Sequence, residues 1–336
     1  MKESILYRKL KDGKVQCLTC AHKCVISKSK RGICYTRENV NGVLYALNYK
    51  KLIARNIDPI EKKPLYHFFP ASFSYSIATV GCNFRCLFCQ NADISQMPRE
   101  QGIIYGEEVE PTTLVEDALR HRCKTISYTY TEPTIFLEYA YDVMKLAKER
   151  GIYNVFVSNG YMSEETIELL RGFLDAINVD LKAFNDRFYK EQCGGRLEPV
   201  LRNIELLKKQ GVWVEVTTLL IPGLNDDPSE LRELARFLQS VDPNIPWHIS
   251  RFHPAYRVLN IPPTPLETLR RAREIGLSEG LRFVYTGNVP GDEGENTYCP
   301  ECSTILIRRL GFSTQVLNLH GGRCKKCNTL IAGVWD

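Results

Sequence analysis

From residue 75 the chain alternates short apolar runs with amphipathic segments, and this alternation excludes most folds before any motif is read. The runs are SYSIATV (74–80), TISYTY (125–130), YNVFVS (153–158), AINVDL (176–181), VWVEVTTLLI (212–221), PWHISRF (246–252) and RFVYTG (282–287). Rich in β-branched and aromatic residues, they read as strands. Between most of them apolar residues recur at helical spacing, as in PTTLVEDALRHR (111–122), PTIFLEYAYDVMKLAKER (133–150), SEETIELLRGFL (163–174), EPVLRNIELLKKQ (198–210) and PSELRELARFLQS (228–240). Proline or serine stands at several helix starts, and Gly151 and Gly211 follow helix ends. Strands alternating with helices imply parallel strands joined by right-handed crossovers. Six or seven such units predict an α/β fold, a partial (β/α)6 barrel of the TIM type. A doubly wound open sheet is the rival, but no GxGxxG follows the first strand.

In such a barrel the active site lies at the carboxyl ends of the strands. There the sequence puts Cys82, Cys86 and Cys89, then Thr131 and Glu132, Ser158 and Asn159, Asp180 and Lys182, Thr217 and Thr218, His253, and finally Asn288. Loops are polar in any protein. A carboxylate, a lysine and a histidine at the strand ends themselves point further, to a site.

The 13 cysteines fall mostly in three sets: Cys17, Cys20, Cys24 and Cys34; Cys82, Cys86 and Cys89; Cys299, Cys302, Cys324 and Cys327. Cys123 and Cys193 stand alone and read as small buried apolar residues. The first residues, MKESILYRKLKDGK, are too polar for a secretory signal, and no run of about twenty apolar residues spans a membrane. The chain is therefore expected in the cytoplasm, where clustered cysteines bind metal or do chemistry rather than form disulfides. The net charge of +5 is spread along the chain; SKSKRG and GRCKK read as solvated loops, so no nucleic-acid footprint is expected.

The middle set, GCNFRCLFCQN (81–91), has the spacing C-x3-C-x2-C, with no fourth cysteine within thirty residues. A [4Fe–4S] cube has four irons, and three thiolates leave one iron open to a ligand that is not protein. A three-cysteine zinc site completed from elsewhere is the alternative. The motif, with Phe88 in its aromatic place after the first strand of a β/α repeat, resembles that of the radical S-adenosylmethionine enzymes. The resemblance implies that the open iron binds the amino and carboxylate groups of S-adenosylmethionine, whose cleavage yields a 5′-deoxyadenosyl radical.

Over residues 75–290 the likeness is to the activating enzymes of glycyl radical enzymes, such as pyruvate formate-lyase activase. INVDLKAFND resembles the family's L-D-L-K-x-x-N and places Asp180 and Lys182 on it; IPGLNDD resembles V-P-G-x-x-D-D. SRFHP resembles P-Y-H and makes His253 a candidate contact to the nucleoside. YTEPT stands where the family often has G-G-E-P, so Glu132 matches the glutamate that meets the methionine amino group, while Tyr130 and Thr131 replace the glycines. VSNG replaces D-T-N-G, without the aspartate before Ser158. Glu132 can pair with an ammonium, Lys182 with a carboxylate, and Asn159 with a ribose or carboxylate.

CPEC followed after 21 residues by CKKC reads as a tetrahedral four-thiolate site for zinc or for a single iron, as in rubredoxin. The N-terminal set, C-x2-C-x3-C-x9-C, can close four ligands on zinc or on an auxiliary cluster, with His22 a bystander. That set, RGIC leading to RENVNG, then DPIEKKPLYHFFP and the radical loop, together resemble the radical enzyme of the AmmeMemoRadiSam system. This implies association with Memo-type and AMMECR-type proteins. An electron donor is a further implied partner.

The expected organisation is a cysteine-rich metal-binding segment (1–40), a β extension and linker (41–74), a radical barrel (75–290) and a zinc-ribbon or rubredoxin-like tail (291–336). The expected function is reductive cleavage of S-adenosylmethionine for hydrogen abstraction, with a protein glycine as the target the resemblance suggests. A small molecule or RNA as target is one alternative; a metal-binding interaction protein without catalysis is another.

Overall fold

The computed structural model describes residues 1–335. Its central sheet has seven parallel strands: β1 (Phe73–Ala78), β2 (Thr125–Tyr128), β3 (Tyr153–Ser158), β4 (Ala176–Asp180), β5 (Trp213–Leu220), β6 (Trp247–Arg251) and β7 (Val284–Gly287). Each pairs with the next in chain order, and all six pairings are parallel. The strand Ala54–Pro59 closes the other edge, antiparallel to β1, with Ala54 opposite Ala78 and Pro59 opposite Phe73. The result is a partial barrel of six β/α units with a seventh strand.

Each crossover carries one main helix: α1 (Pro111–Arg120), α2 (Leu137–Glu149), α3 (Glu164–Leu169), α4 (Glu198–Lys209), α5 (Pro228–Val241) and α6 (Leu266–Ser278). The local sequence explains them. In α5 the Asp227 carboxylate accepts from the N–H groups of Ser229 and Glu230, and Pro228 takes the first helical position, where no N–H is needed. Leu231, Leu234, Ala235 and Leu238 then form one buried stripe against the sheet. The strands are covered on both faces, which is why they read as near-continuous apolar runs. Ile77, Tyr128, Phe156, Val179, Val216 and Ile249 are all fully buried.

The two ends of the chain cover opposite ends of the barrel. The N-terminal segment forms two small antiparallel sheets and reaches the carboxyl ends of the strands. There the Ala21 N–H donates to the Tyr161 carbonyl at 3.0 Å, and a His22 ring nitrogen meets the Asn83 carbonyl at 3.0 Å. At the amino ends, residues 64–69 plug the barrel. Glu215 accepts from the N–H groups of Tyr66 and His67 and from Trp213 Nε1, and Asn178 donates to the Pro64 carbonyl. The C-terminal tail packs against this plug: Arg309 donates to the Tyr66 carbonyl, His67 Nδ1 donates to that of Ala332, and Phe283 and Tyr285 join Leu306 and Ile307 in a separate core. Among the described residues no helix is long and apolar enough to cross a membrane.

Candidate active site

The loop after β1 leaves the sheet through Gly81, at φ +107°; a Cβ there would come within 2.5 Å of Thr36 Cγ2. Both the backbone angle and the close approach require glycine. The loop is then held by main-chain bonds: the N–H of Arg85 and of Leu87 donate to the carbonyls of Cys193 and Gln192 at 2.8 and 2.9 Å. All 13 cysteines are free thiols. Cys82 Sγ accepts the Phe84 N–H at 3.3 Å, Cys89 Sγ lies 3.3 Å from Ser95 Oγ, and Cys86 is buried. Phe88 is buried against Phe188, with ring centroids 5.7 Å apart, and so braces the loop from within.

Glu132 lies four residues past the end of β2 and is 1% exposed. Oε1 accepts from the Thr134 N–H at 3.0 Å, from Thr134 Oγ1, and from Ser158 Oγ at 2.9 Å; Oε2 accepts the Asn159 N–H at 2.8 Å. Burial pushes its carboxyl up, against the lowering effect of these donors. Oε2 keeps a lone pair for a further donor, such as an ammonium. Asn159 donates to Asn83 Oδ1 at 2.7 Å and approaches Cys82 Sγ at 3.8 Å, so the end of β3 touches the cysteine loop directly. Tyr130, which stands where a glycine is common, keeps a left-handed backbone at φ +61°. That conformation is costly for a tyrosine. It is held by the Asn91 side chain, which donates to the Tyr130 carbonyl at 2.8 Å, and by the phenol, which donates to Asp58 beside the buried Lys63.

After β4, Lys182 Nζ sits 2.9 Å from Asp180 Oδ2 and 6.0 Å from the Phe88 ring centroid. Burial opposes its charge, but Asp180 and the sulfurs of Cys86 and Cys193 outweigh it and keep the ammonium protonated. The structure therefore brings the three loop cysteines, Phe88, Glu132, Asn159, Asp180 and Lys182 to one end of the barrel. His253 stands just past the end of β6, exposed, and Asn288 past β7 donates to the Arg251 carbonyl at 3.1 Å.

Three residues that the sequence did not single out belong here. Cys193, alone in the sequence, is fully buried beside Cys86, and its proximity lowers the Cys86 thiol against the effect of burial. Asn83 links Asn159 to His22. Thr134 anchors Glu132. Cys193 has no motif to give it away; Thr134 had a signal, as the residue whose N–H an N-cap glutamate accepts.

In the tail, Cys299, Cys302, Cys324 and Cys327 have sulfurs all within 4.8 Å of one another, with the pairs Cys299–Cys327 and Cys302–Cys324 at 3.5 and 3.7 Å. A tetrahedral ion with metal–sulfur bonds of about 2.3 Å needs sulfurs about 3.8 Å apart, so this set fits one ion. The tail packs at the amino ends of the strands, a barrel's height from the cysteine loop. For strands of this length that is about 15 Å.

The three loop thiols and the carboxylate beside them suit a [4Fe–4S] cube with one free corner and a zwitterionic ligand on it. Residues 76–238 match the radical SAM superfamily. The chain is 48% identical over 334 residues to an uncharacterized protein of Methanocaldococcus jannaschii, covering 98% of this chain and 99% of that one. It is 24% identical over 233 residues to the pyruvate formate-lyase-activating enzyme of Staphylococcus epidermidis, covering 64% of this chain and 90% of that one. Among solved structures, SuiB of Streptococcus suis bound to S-adenosylmethionine shares the fold, with a TM-score of 0.51 at 14% identity over 72% of this chain and 56% of that one.

Proposed function

The chain belongs to the radical SAM superfamily, and from that premise we propose that it takes a hydrogen atom from a glycine of a partner protein. It is a radical SAM enzyme of the activating-enzyme type. Its [4Fe–4S] cluster, when bound, supplies the electron that splits S-adenosylmethionine into methionine and the 5′-deoxyadenosyl radical. The chain's own residues bind and orient. In our reading Cys82, Cys86 and Cys89 hold three irons. Glu132 receives the methionine ammonium, Lys182 a carboxylate, Asn159 the ribose or carboxylate, and His253 the nucleoside. The observation that carries these roles is the convergence of the buried, hydrogen-bonded Glu132 and Asn159 on Cys82. A fixed acceptor beside an open metal corner orients an amino acid headgroup before any electron moves.

The glycine target is supported by the likeness to pyruvate formate-lyase-activating enzymes over 64% of the chain. A groove of about 860 Å³ opens beside the loop, with Lys30, Arg31, Arg85 and Arg99 on its walls. It is roomy enough for an extended peptide segment. Its positive charge favours a second reading, an anionic small molecule or RNA. Deuterated glycyl peptide separates the two: deuterium recovered in 5′-deoxyadenosine supports the first, and protium alone, with the anionic substrate consumed, supports the second. We also propose zinc at the C-terminal cysteines, since structural zinc is the common use of two such C-x2-C knuckles, and Memo-type and AMMECR-type proteins as partners, on the strength of the sequence likeness given above.

A further inference from the structure

Cys17, Cys20, Cys24 and Cys34 line one small cavity at the carboxyl end of the barrel, with Arg37 and Asn83 on its wall. Their spacing differs from that of the tail. Among the described residues only the four tail cysteines form a group with all ligand atoms within 4.8 Å; neither the N-terminal four nor the loop triad does so. A single tetrahedral ion draws its sulfurs together to about 3.8 Å. A cube seats each thiolate on a different iron and holds them farther apart, around a space for the inorganic core. The N-terminal set, like the loop triad, is thus not drawn together as the tail cysteines are.

The walls suit an anionic sulfur cluster. Arg37 is 2% exposed and lies beside Cys17 and Cys34, its guanidinium fixed on Glu138 by two bonds of 2.8 Å. Thr36 Oγ1 donates to Cys34 Sγ at 3.2 Å. Asn83 is 1% exposed and its Nδ2 has no partner, an orphaned donor of the kind that cluster sulfurs accept. The cavity also adjoins the loop: Asn83 follows Cys82 in the chain, and Thr36 packs on Gly81.

We propose that Cys17, Cys20, Cys24 and Cys34 hold a second [4Fe–4S] cluster, fully ligated by protein, beside the loop cluster. Four thiolates occupy all four irons, so this cluster has no corner for S-adenosylmethionine or substrate. From its position it can exchange one electron with its neighbour: the reduced N-terminal cluster loses the electron that the loop cluster gains, and an external one-electron carrier of the iron–sulfur or flavin class restores it.

The test is iron, sulfide and zinc analysis with electron paramagnetic resonance on full-length, anaerobically reconstituted protein. In the variant Cys82→Ala/Cys86→Ala/Cys89→Ala, about half the cluster iron of the parent remains, with matching acid-labile sulfide. After dithionite its signal is unchanged by added S-adenosylmethionine. In Cys20→Ala/Cys24→Ala the remaining signal is the one that S-adenosylmethionine alters. Loss of all cluster iron from the loop variant, with or without an extra zinc, overturns the proposal. So does a full iron load in Cys20→Ala/Cys24→Ala. Neither result depends on the glycine target, whose failure would appear as absent deuterium transfer with both clusters in place.

Discussion

Glu132 Oε2 accepts the backbone N–H of Asn159 at 2.8 Å, so a buried carboxylate joins the carboxyl ends of β2 and β3 beside Cys82. Glu132→Gln replaces an acceptor with a donor group facing other donors. A charge-assisted hydrogen bond contributes about 1.5–3 kcal/mol, so affinity for S-adenosylmethionine should fall by about ten- to a hundredfold. Iron content should stay at the parent level. Equilibrium binding to cluster-loaded protein checks this, and unchanged affinity would remove Glu132 from the site.

Cys193 is the fourth sulfur near the loop, buried beside Cys86. If the open corner belongs to S-adenosylmethionine, Cys193 is a buried neighbour and not a ligand. Cys193→Ala should then keep the full iron load and still release 5′-deoxyadenosine, at a stability cost of about 1 kcal/mol for the lost thiol. Loss of the loop cluster would make Cys193 its fourth ligand and close the corner.

His67 donates from Nδ1 to the Ala332 carbonyl at 2.7 Å, and its Nε2 lies 2.6 Å from the Tyr285 hydroxyl. Burial pushes it down to about 4 from its ordinary 6.5. Between these values the unfolded chain binds the extra proton and the folded one does not, so stability rises with pH across this window and is lost as pH falls. The loss attributable to His67 between pH 6.5 and 4 is at most about 3 kcal/mol. It should appear as faster proteolysis of the tail at pH 5 than at pH 7. His67→Gln should flatten that dependence; an equal slope in the variant would assign it elsewhere.

The tail site lies at the opposite end of the barrel from the loop, which separates bracing from catalysis. Cys324→Ser should lose one metal ion per chain and destabilise the tail by about 2 kcal/mol or more. Yield of 5′-deoxyadenosine per loop cluster should stay within about twofold, as for distant independent sites. Zinc analysis and product quantification check both, and a collapse of the yield would make the tail metal part of the electron path.

The barrel was legible because parallel strands covered on both faces carry unbroken apolar runs, and crossover helices carry a single apolar stripe. The loop was legible because three cysteines so close together have few uses. Other features were not. The strands Lys2–Glu3, Tyr7–Lys9 and Val25–Ile26 are too short to show a period of two. That the β extension lay within residues 41–74 was readable, but not that Ala54–Pro59 would join the barrel sheet, because pairing with β1 is set by tertiary packing. Tyr130 gave no sign of its left-handed backbone, since its support comes from Asp58, 72 residues away. Cys193 reads as an isolated apolar residue until the fold puts it on Cys86.

The central claim is a cube held by three thiolates of one loop, with its fourth iron left to S-adenosylmethionine. The most direct measurement is 5′-deoxyadenosine released by anaerobically reconstituted, dithionite-reduced protein given S-adenosylmethionine, run beside Cys86→Ala. The account predicts release by the parent, none by the variant, and retention of the tail metal in both. No release from a parent shown to carry its clusters, or equal release and equal iron in Cys86→Ala, would contradict it.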